Sequence, residues 1–256
     1  MKLGLHGWQM GKVRTLDEMV DLVAAAGLAS FEIMIHPEFK SSIALELSAS
    51  EKARIKEKFK SSGVQIAALS VTCRYDSQDP AEVRRNIDAT KRWAELAREL
   101  GAPRLRCLGD RLHEDKGEAK EVTIARIATA LRECAEFGET VGVDCPIEMH
   151  GHFTAWEHAL AVVEQVKHPR CYLVHNGQPG NTPPERWDEV WAKLRPWIKH
   201  VHVHDILDAA FPHKKFFRQL RDDGYAGLIS LELKPSDDPL RVLQLTKALF
   251  EEWVAR

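Results

Sequence analysis

Three features missing from this chain each remove a class of protein. It has no CxxC pair, and its five cysteines (Cys73, Cys107, Cys134, Cys145, Cys171) are odd in number. That argues against a disulfide framework and a thiolate zinc site, and leaves small core filler as their role. The first strand-like segment is not followed by a glycine-rich dinucleotide turn, because Gly4, Gly7 and Gly11 have the wrong spacing for one. No apolar run approaches the roughly 20 residues of a membrane span, and Met1 runs straight into a strand-like segment without the apolar core of a signal peptide. A cytoplasmic protein without a membrane partner is expected. The formal net charge of −2 supplies no global attraction for a nucleic acid backbone, so no nucleic-acid partner is expected either.

What the chain does contain is a repeating cycle of strand, polar loop, capped helix and glycine. Its 256 residues, 44% hydrophobic and 29% charged, have an ordinary globular composition and suit the size of an eight-unit α/β barrel. Residues 2–6 read as a strand, and Thr15 with Glu18 matches a capping box for a helix that stops near Gly27. Residues 31–35 form the next strand, Ser48 or Ser50 caps a helix ending at Gly63, residues 64–71 follow, and Pro80 opens a helix ending at Gly101. Further strands are expected over 104–108, 145–150, 171–176, 198–204 and 227–233. Helices are expected over 118–140 and 214–223, and from residues 155, 184 and 239. Strict alternation implies parallel strands, and eight units close, so residues 1–256 are expected to be a single (β/α)8 TIM-barrel domain.

The stretch Ile-Lys-His-Val-His-Val-His-Asp, residues 198–205, sets His200, His202 and His204 on one side and Val201 and Val203 on the other. Three imidazoles sharing a side are costly to desolvate without partners, so that side should look into a polar site. The same parity turns His6, Glu32, His36, Arg106, Glu148, His150, Asn176, Glu232 and Lys234 toward the barrel axis. Ile147, Met149, Ile229 and Leu231 then face the helices.

Four consecutive units end in a candidate ligand: Glu148, Asn176, His202 and Glu232. Carboxylate, amide and imidazole together suit a divalent Mn, Co, Mg or Zn ion better than a soft metal. Arg106 and Lys234 read either as anchors for a substrate oxygen or as internal ion-pair partners, and His6 also counts as a candidate substrate contact. Trp8, Phe153 and Trp156 either stack on a sugar or pack against the loops. His158 and His168 fall on or after a helix and are expected at the surface.

The segments Ile147-Glu148-Met149-His150, Lys199-His200-Val201-His202-Val203-His204-Asp205 and Ser230-Leu231-Glu232 resemble the xylose isomerase-like barrel superfamily of sugar isomerases, epimerases and apurinic endonucleases. The resemblance implies that Glu148, Asn176, His202 and Glu232 bind one divalent metal, and that Glu148 and Glu232 move protons. Two departures stand out. Asn176 replaces the usual Asp, and Pro179 replaces a His often found three residues later, which turns attention to His150 and His175 as replacement ligands and away from the endonuclease branch.

The expected activity is isomerisation or epimerisation of a keto-sugar or related polyol through an enediolate. A lyase or dehydratase would share the first step and then expel a β-substituent, with His150 or His204 as the acid. A third alternative is a sugar-binding barrel without turnover. The partner in every case is a small sugar or polyol, and homo-oligomerisation stays open.

Overall fold

The computed structural model describes residues 1–255. Eight parallel strands follow one another in sequence order around a closed barrel, each followed by a helix. They are β1 (Lys2–His6), α1 (Leu16–Ala25), β2 (Ser30–Met34), α2 (Ala49–Ser62), β3 (Gln65–Arg74), α3 (Pro80–Leu100), β4 (Leu105–Leu108) and α4 (Lys120–Val141). Then come β5 (Ile147–Glu148), α5 (Trp156–Val166), β6 (Leu173–Gly177), α6 (Trp187–Leu194), β7 (Ile198–Val203), α7 (His213–Asp222), β8 (Leu228–Leu231) and α8 (Pro239–Ala255). The expected (β/α)8 TIM barrel is therefore the fold. No helix among the described residues is long and apolar enough to cross a membrane.

Local chemistry explains the boundaries. Thr15 caps α1 with Glu18 reaching back, and Ser48, rather than Ser50, does the same for α2 with Glu51. Each such cap contributes about 1 kcal/mol by satisfying orphan amides of the first turn. Asp79 and Pro80 open α3, and Gly101 closes it at φ 82°, which a side chain would resist.

Contacts gather the chain into two compact units, one from Met1–Ala67 with the chain from His200 onward, the other Ala68–Lys199. In the first, Gly4 of β1 pairs with Ser30 of β2 on one side and Ser230 of β8 on the other, and Ser230 in turn pairs with His202 of β7. A Cβ on Gly4 would sit 2.1 Å from the Ser30 hydroxyl, so only glycine allows this register. In the second, Glu148 of β5 pairs with Leu108 of β4 and Val174 of β6. Leu5, Phe31, Ile33, Ile147, Val201, Val203, Ile229 and Leu231 are fully buried, as their parity predicts.

Some expected strands are shorter. β5 holds two residues instead of six, because Pro146 has no N–H for the ladder and the chain turns at Gly151, φ 58°. His150 thus lies beyond its strand. β2 stops at Met34, which leaves His36 in a loop, its ring 5.3 Å from that of Phe39 and its Nδ1 accepting from the Glu38 amide. β7 and β8 end at Val203 and Leu231, so His204, Glu232 and Lys234 also follow strand ends. All five cysteines are buried, and burial pushes their thiols up, that of Cys134 to about 12, which suits inert filler.

Candidate functional site

Within the unit containing both chain ends of the barrel, the polar centre is Glu32 on β2, between the buried Phe31 and Ile33. Its carboxylate is 0% exposed and accepts from His200 Nε2 at 2.8 Å, His202 Nε2 at 3.1 Å and Ser230 Oγ at 2.8 Å, while His6 Nε2 lies 3.7 Å away. Burial alone would raise the Glu32 carboxyl, but the attraction of His202, His200 and His6 outweighs it and holds the group well below the usual carboxylate range. An ionised carboxylate only accepts hydrogen bonds, so His200 and His202 both donate from Nε2.

In its neutral form, with the proton on Nε2, His202 presents an Nδ1 lone pair, and this atom lies 3.5 Å from Glu232 Oε1. His6 Nδ1 accepts the Trp8 amide at 3.0 Å and stands 3.3 Å from the same oxygen. In that form the two groups face each other as acceptors, an arrangement a cation would satisfy, and a carboxylate behind the imidazole is the usual way to orient such a ligand. His6, Glu32 and His202 also offer atoms within 4.8 Å of one another. Glu32 is already filled by donors there, so we read that trio as the support rather than the ligand set. His204, 40% exposed at its side chain, has Nε2 3.7 Å from Glu232 Oε2.

Within Ala68–Lys199, Glu148 is 2% exposed; its Oε2 lies 3.2 Å from Arg106 Nε and its Oε1 accepts from Asn176 Nδ2 at 3.1 Å. Arg106 therefore takes the ion-pair alternative. Asn176 Oδ1, by contrast, is buried without a hydrogen-bond partner. Such an orphan costs about 1–3 kcal/mol unless an ion or donor meets it. A divalent cation fits an unmet amide oxygen, and it fits the His202 Nδ1 and Glu232 pair for the same reason. Nearby in the same unit, Asp110 accepts from Arg74 Nη1 at 2.8 Å and pairs with His150 Nδ1 at 3.0 Å. Hydrogen bonding to Asp110 raises the His150 imidazole, and the same bond lowers the Asp110 carboxyl.

Another expectation is corrected. His175 is fully buried with Nε2 bonded to Thr182 Oγ1 at 2.8 Å and its ring against Trp191, on the opposite parity to Asn176, so it is no replacement ligand. His150 pairs with Asp110 through Nδ1, and its side chain is 49% exposed. Phe153 and Trp156, 0% and 6% exposed, take the packing alternative that the sequence offered for them. His158 and His168 are partly exposed at the surface, as expected, with His158 Nδ1 bonding to the His152 carbonyl oxygen. Trp8 and the exposed Lys234 line one cleft with His204 and Glu232. The sequence reading missed Ser230, Asp110 and the central part of Glu32. The last had a signal: a carboxylate flanked by two large apolar residues in a strand.

A family model described as xylose isomerase-like TIM barrel matches residues 20–250. No curated protein matches the chain in sequence to a significant degree. Among solved structures, 3-keto-D-glucoside 4-epimerase from E. coli is similar with a TM-score of 0.79 at 15% identity, covering 98% of this chain and 99% of that one. D-psicose 3-epimerase from Clostridium cellulolyticum H10, solved with D-tagatose, gives 0.81 at 15% identity over 99% of each chain. An L-ribulose 3-epimerase gives 0.78 at 16% identity over 99% and 94%. At these identities the similarity establishes the fold.

Proposed function

The chain belongs to the xylose isomerase-like TIM barrel family, and from that premise we propose that it is a divalent-metal-dependent isomerase or epimerase of a keto-sugar or related polyol. The observation that carries this reading is the approach of His202 Nδ1 to Glu232 Oε1 at 3.5 Å, with Glu32 holding the opposite nitrogen of the same imidazole. Sugar epimerases recur among its structural neighbours. In this reading residues 1–256 are one catalytic domain acting in the cytoplasm.

Glu148, Asn176 through Oδ1, His202 through Nδ1 and Glu232 would hold the metal, of the Mn, Co, Mg or Zn type. When bound, such a cation supplies Lewis acidity toward the substrate carbonyl and hydroxyl oxygens and makes the intervening C–H more acidic. Glu148 and Glu232 are the base and acid, one removing the carbon-bound proton and the other returning it. Arg106 and Asn176 hold the two Glu148 oxygens in place while a proton is exchanged. Glu32 keeps His202 in one tautomer, and its burial keeps water from competing for that hydrogen bond.

The test is NMR in deuterated water with ketoses, inososes and 3-keto-glycosides, together with elemental analysis of bound metal. Deuterium entering one carbon position without loss of a substituent is the expected result. Loss of a β-substituent would instead establish the lyase alternative, for which the Asp110-bound His150 is the available acid. Metal without exchange on any candidate would end the proton-transfer reading and favour a sugar-binding barrel.

A further inference from the structure

A cleft of about 620 Å³ lies beside Glu232 and runs on to Val242 and Thr246 of α8. That volume is in the range of pockets for drug-sized ligands, about 300–1,000 Å³. A single hexose reaching Glu232 leaves the far wall on α8 without a function. Trp8 and Leu207, 37% and 71% exposed, stand on this same cleft, and both are large apolar side chains that water would prefer to lose.

The backbone holds Trp8 there against strain. Gln9 has φ 54° and ψ −62°, and the Met10 amide donates to the Trp8 carbonyl oxygen at 2.5 Å, a tight turn that non-glycine residues rarely adopt. The surrounding loop is fixed by the Gly7 amide on the Glu32 carbonyl oxygen (2.8 Å) and the Ser41 amide on that of Gly11 (3.1 Å). The Trp8 ring is stacked against Phe39 at 5.7 Å, and Lys12 Nζ lies 5.7 Å from its centroid and 5.5 Å from that of Phe39. An indole held by these neighbours, yet 37% exposed at a cleft, offers its exposed part to a second ring.

Charge narrows the ligand. Asp205, Asp208 and Glu232 line the cleft against one lysine, Lys234, which disfavours a phosphate or carboxylate. Asp205 and Asp208 each use one oxygen to fix their own loop, accepting the Leu207 and Ala210 amides at 2.9 Å. The second oxygen of each is of the type that accepts sugar hydroxyls.

We infer that this cleft is a subsite for a neutral ring or aglycone attached to the reacting sugar, so that the substrate is a glycoside rather than a free or phosphorylated ketose. The inference rests on the reading of Glu232 as a group at the reacting carbon. It is tested by calorimetric titration, with Mn²⁺ present, of methyl and phenyl D-glucopyranosides of both anomers, glucose and glucose 6-phosphate. One phenyl glycoside is expected to bind about tenfold more tightly than its methyl counterpart, as a stacked ring allows. Glucose 6-phosphate is expected to bind more weakly than glucose. In Val242→Trp, and in Thr246→Trp should the first fail to fold, the phenyl-to-methyl ratio falls to about one. A wild-type ratio near one for both anomers, no binding of any glycoside at millimolar concentration, or a ratio that survives the tryptophan would overturn the subsite. A phenyl preference without C–H exchange on any ketose would leave the subsite standing and remove the proton-transfer reading instead.

Discussion

Two carboxylate–imidazole assemblies in this chain use the same functional groups in opposite surroundings. Glu32 with His200 and His202 has no exposed side-chain surface, whereas Asp110 and His150 expose 15% and 49% of theirs. In the first, donors replace all the water the carboxylate has lost, and nothing else can. In the second, water substitutes for a missing partner at little cost. Burial therefore decides whether a hydrogen bond is a structural commitment that fixes a tautomer or an adjustable contact at a loop.

The largest expected effect tests that difference directly. Glu32→Ala leaves two buried imidazoles and a serine hydroxyl without their acceptor, and with hydrogen bonds to a charged group worth about 1.5–3 kcal/mol each the loss should be roughly 3–5 kcal/mol. For a chain of this size the thermal midpoint should fall by about 10 °C. Mn²⁺ affinity should fall about 10–100-fold, since His202 is no longer held with Nδ1 unprotonated. Urea unfolding and Mn²⁺ titration measure the two. A stability loss below about 1 kcal/mol would mean that the buried hub is no more committed than the exposed pair.

His213 sharpens the comparison from a third side, being a buried imidazole with the rings of Phe211 and Phe217 at 5.0 and 6.1 Å. Burial pushes it down to about 4, against the pull of Asp208, through its charge and its backbone carbonyl, and of Asp205, and with a small push from His204. The unfolded chain then binds the proton more readily than the folded one. Stability is complete above the ordinary histidine value near 6.5 and is lost as pH falls from there toward 4, by roughly 3 kcal/mol at most. His213→Phe should flatten that slope in unfolding curves between these pH values, and an unchanged slope would move its cause elsewhere.

Asn176 follows in size. Its Nδ2 donates to Glu148, so Asn176→Asp sets two carboxylates about 3 Å apart where one hydrogen bond stood. Without metal the variant should lose roughly 1–2 kcal/mol, because like charges in a buried place are weakly screened. With metal the sign reverses, and Mn²⁺ should bind about tenfold more tightly. Equal Mn²⁺ affinities for the two proteins would place Asn176 outside the ligand set and leave it as the residue that positions Glu148.

The unequal legibility of these regions has a physical cause. Period-two alternation made the inward set readable, and Thr15, Pro80 and Gly101 marked their helices because capping is local chemistry. Strand ends were read less well: Pro146 was visible in the sequence, yet its shortening of β5 and the release of His150 from the strand went unpredicted. Glu32 lies 168 residues from His200, so parity could aim both inward but could not say that they meet. Asp110 was unreadable for another reason, as it belongs to a loop with φ 68° at Asp110, whose carbonyl oxygen lies where a side chain on Gly151 would collide with it.

The smallest expected effect belongs to that loop. Asp110→Asn is the right substitution because asparagine tolerates the left-handed backbone at φ 68° nearly as well as aspartate, so the charge is removed without adding strain. The backbone anchor survives too, since the His152 amide donates to the Asp110 carbonyl oxygen at 2.8 Å. What disappears is the ionic part of the contacts to Arg74 and His150, whose side chains are 51% and 49% exposed. Pairs in that setting contribute about 0.2–1 kcal/mol, and the loss should shrink further in 1 M salt, where the Debye length is roughly 3 Å. Urea unfolding at low and high salt reads this, with Glu32→Ala beside it as the salt-insensitive counterpart. If Asp110→Asn cost as much as Glu32→Ala and ignored salt, exposure would not be what separates the two assemblies, and the strained loop itself would have to be the committed element.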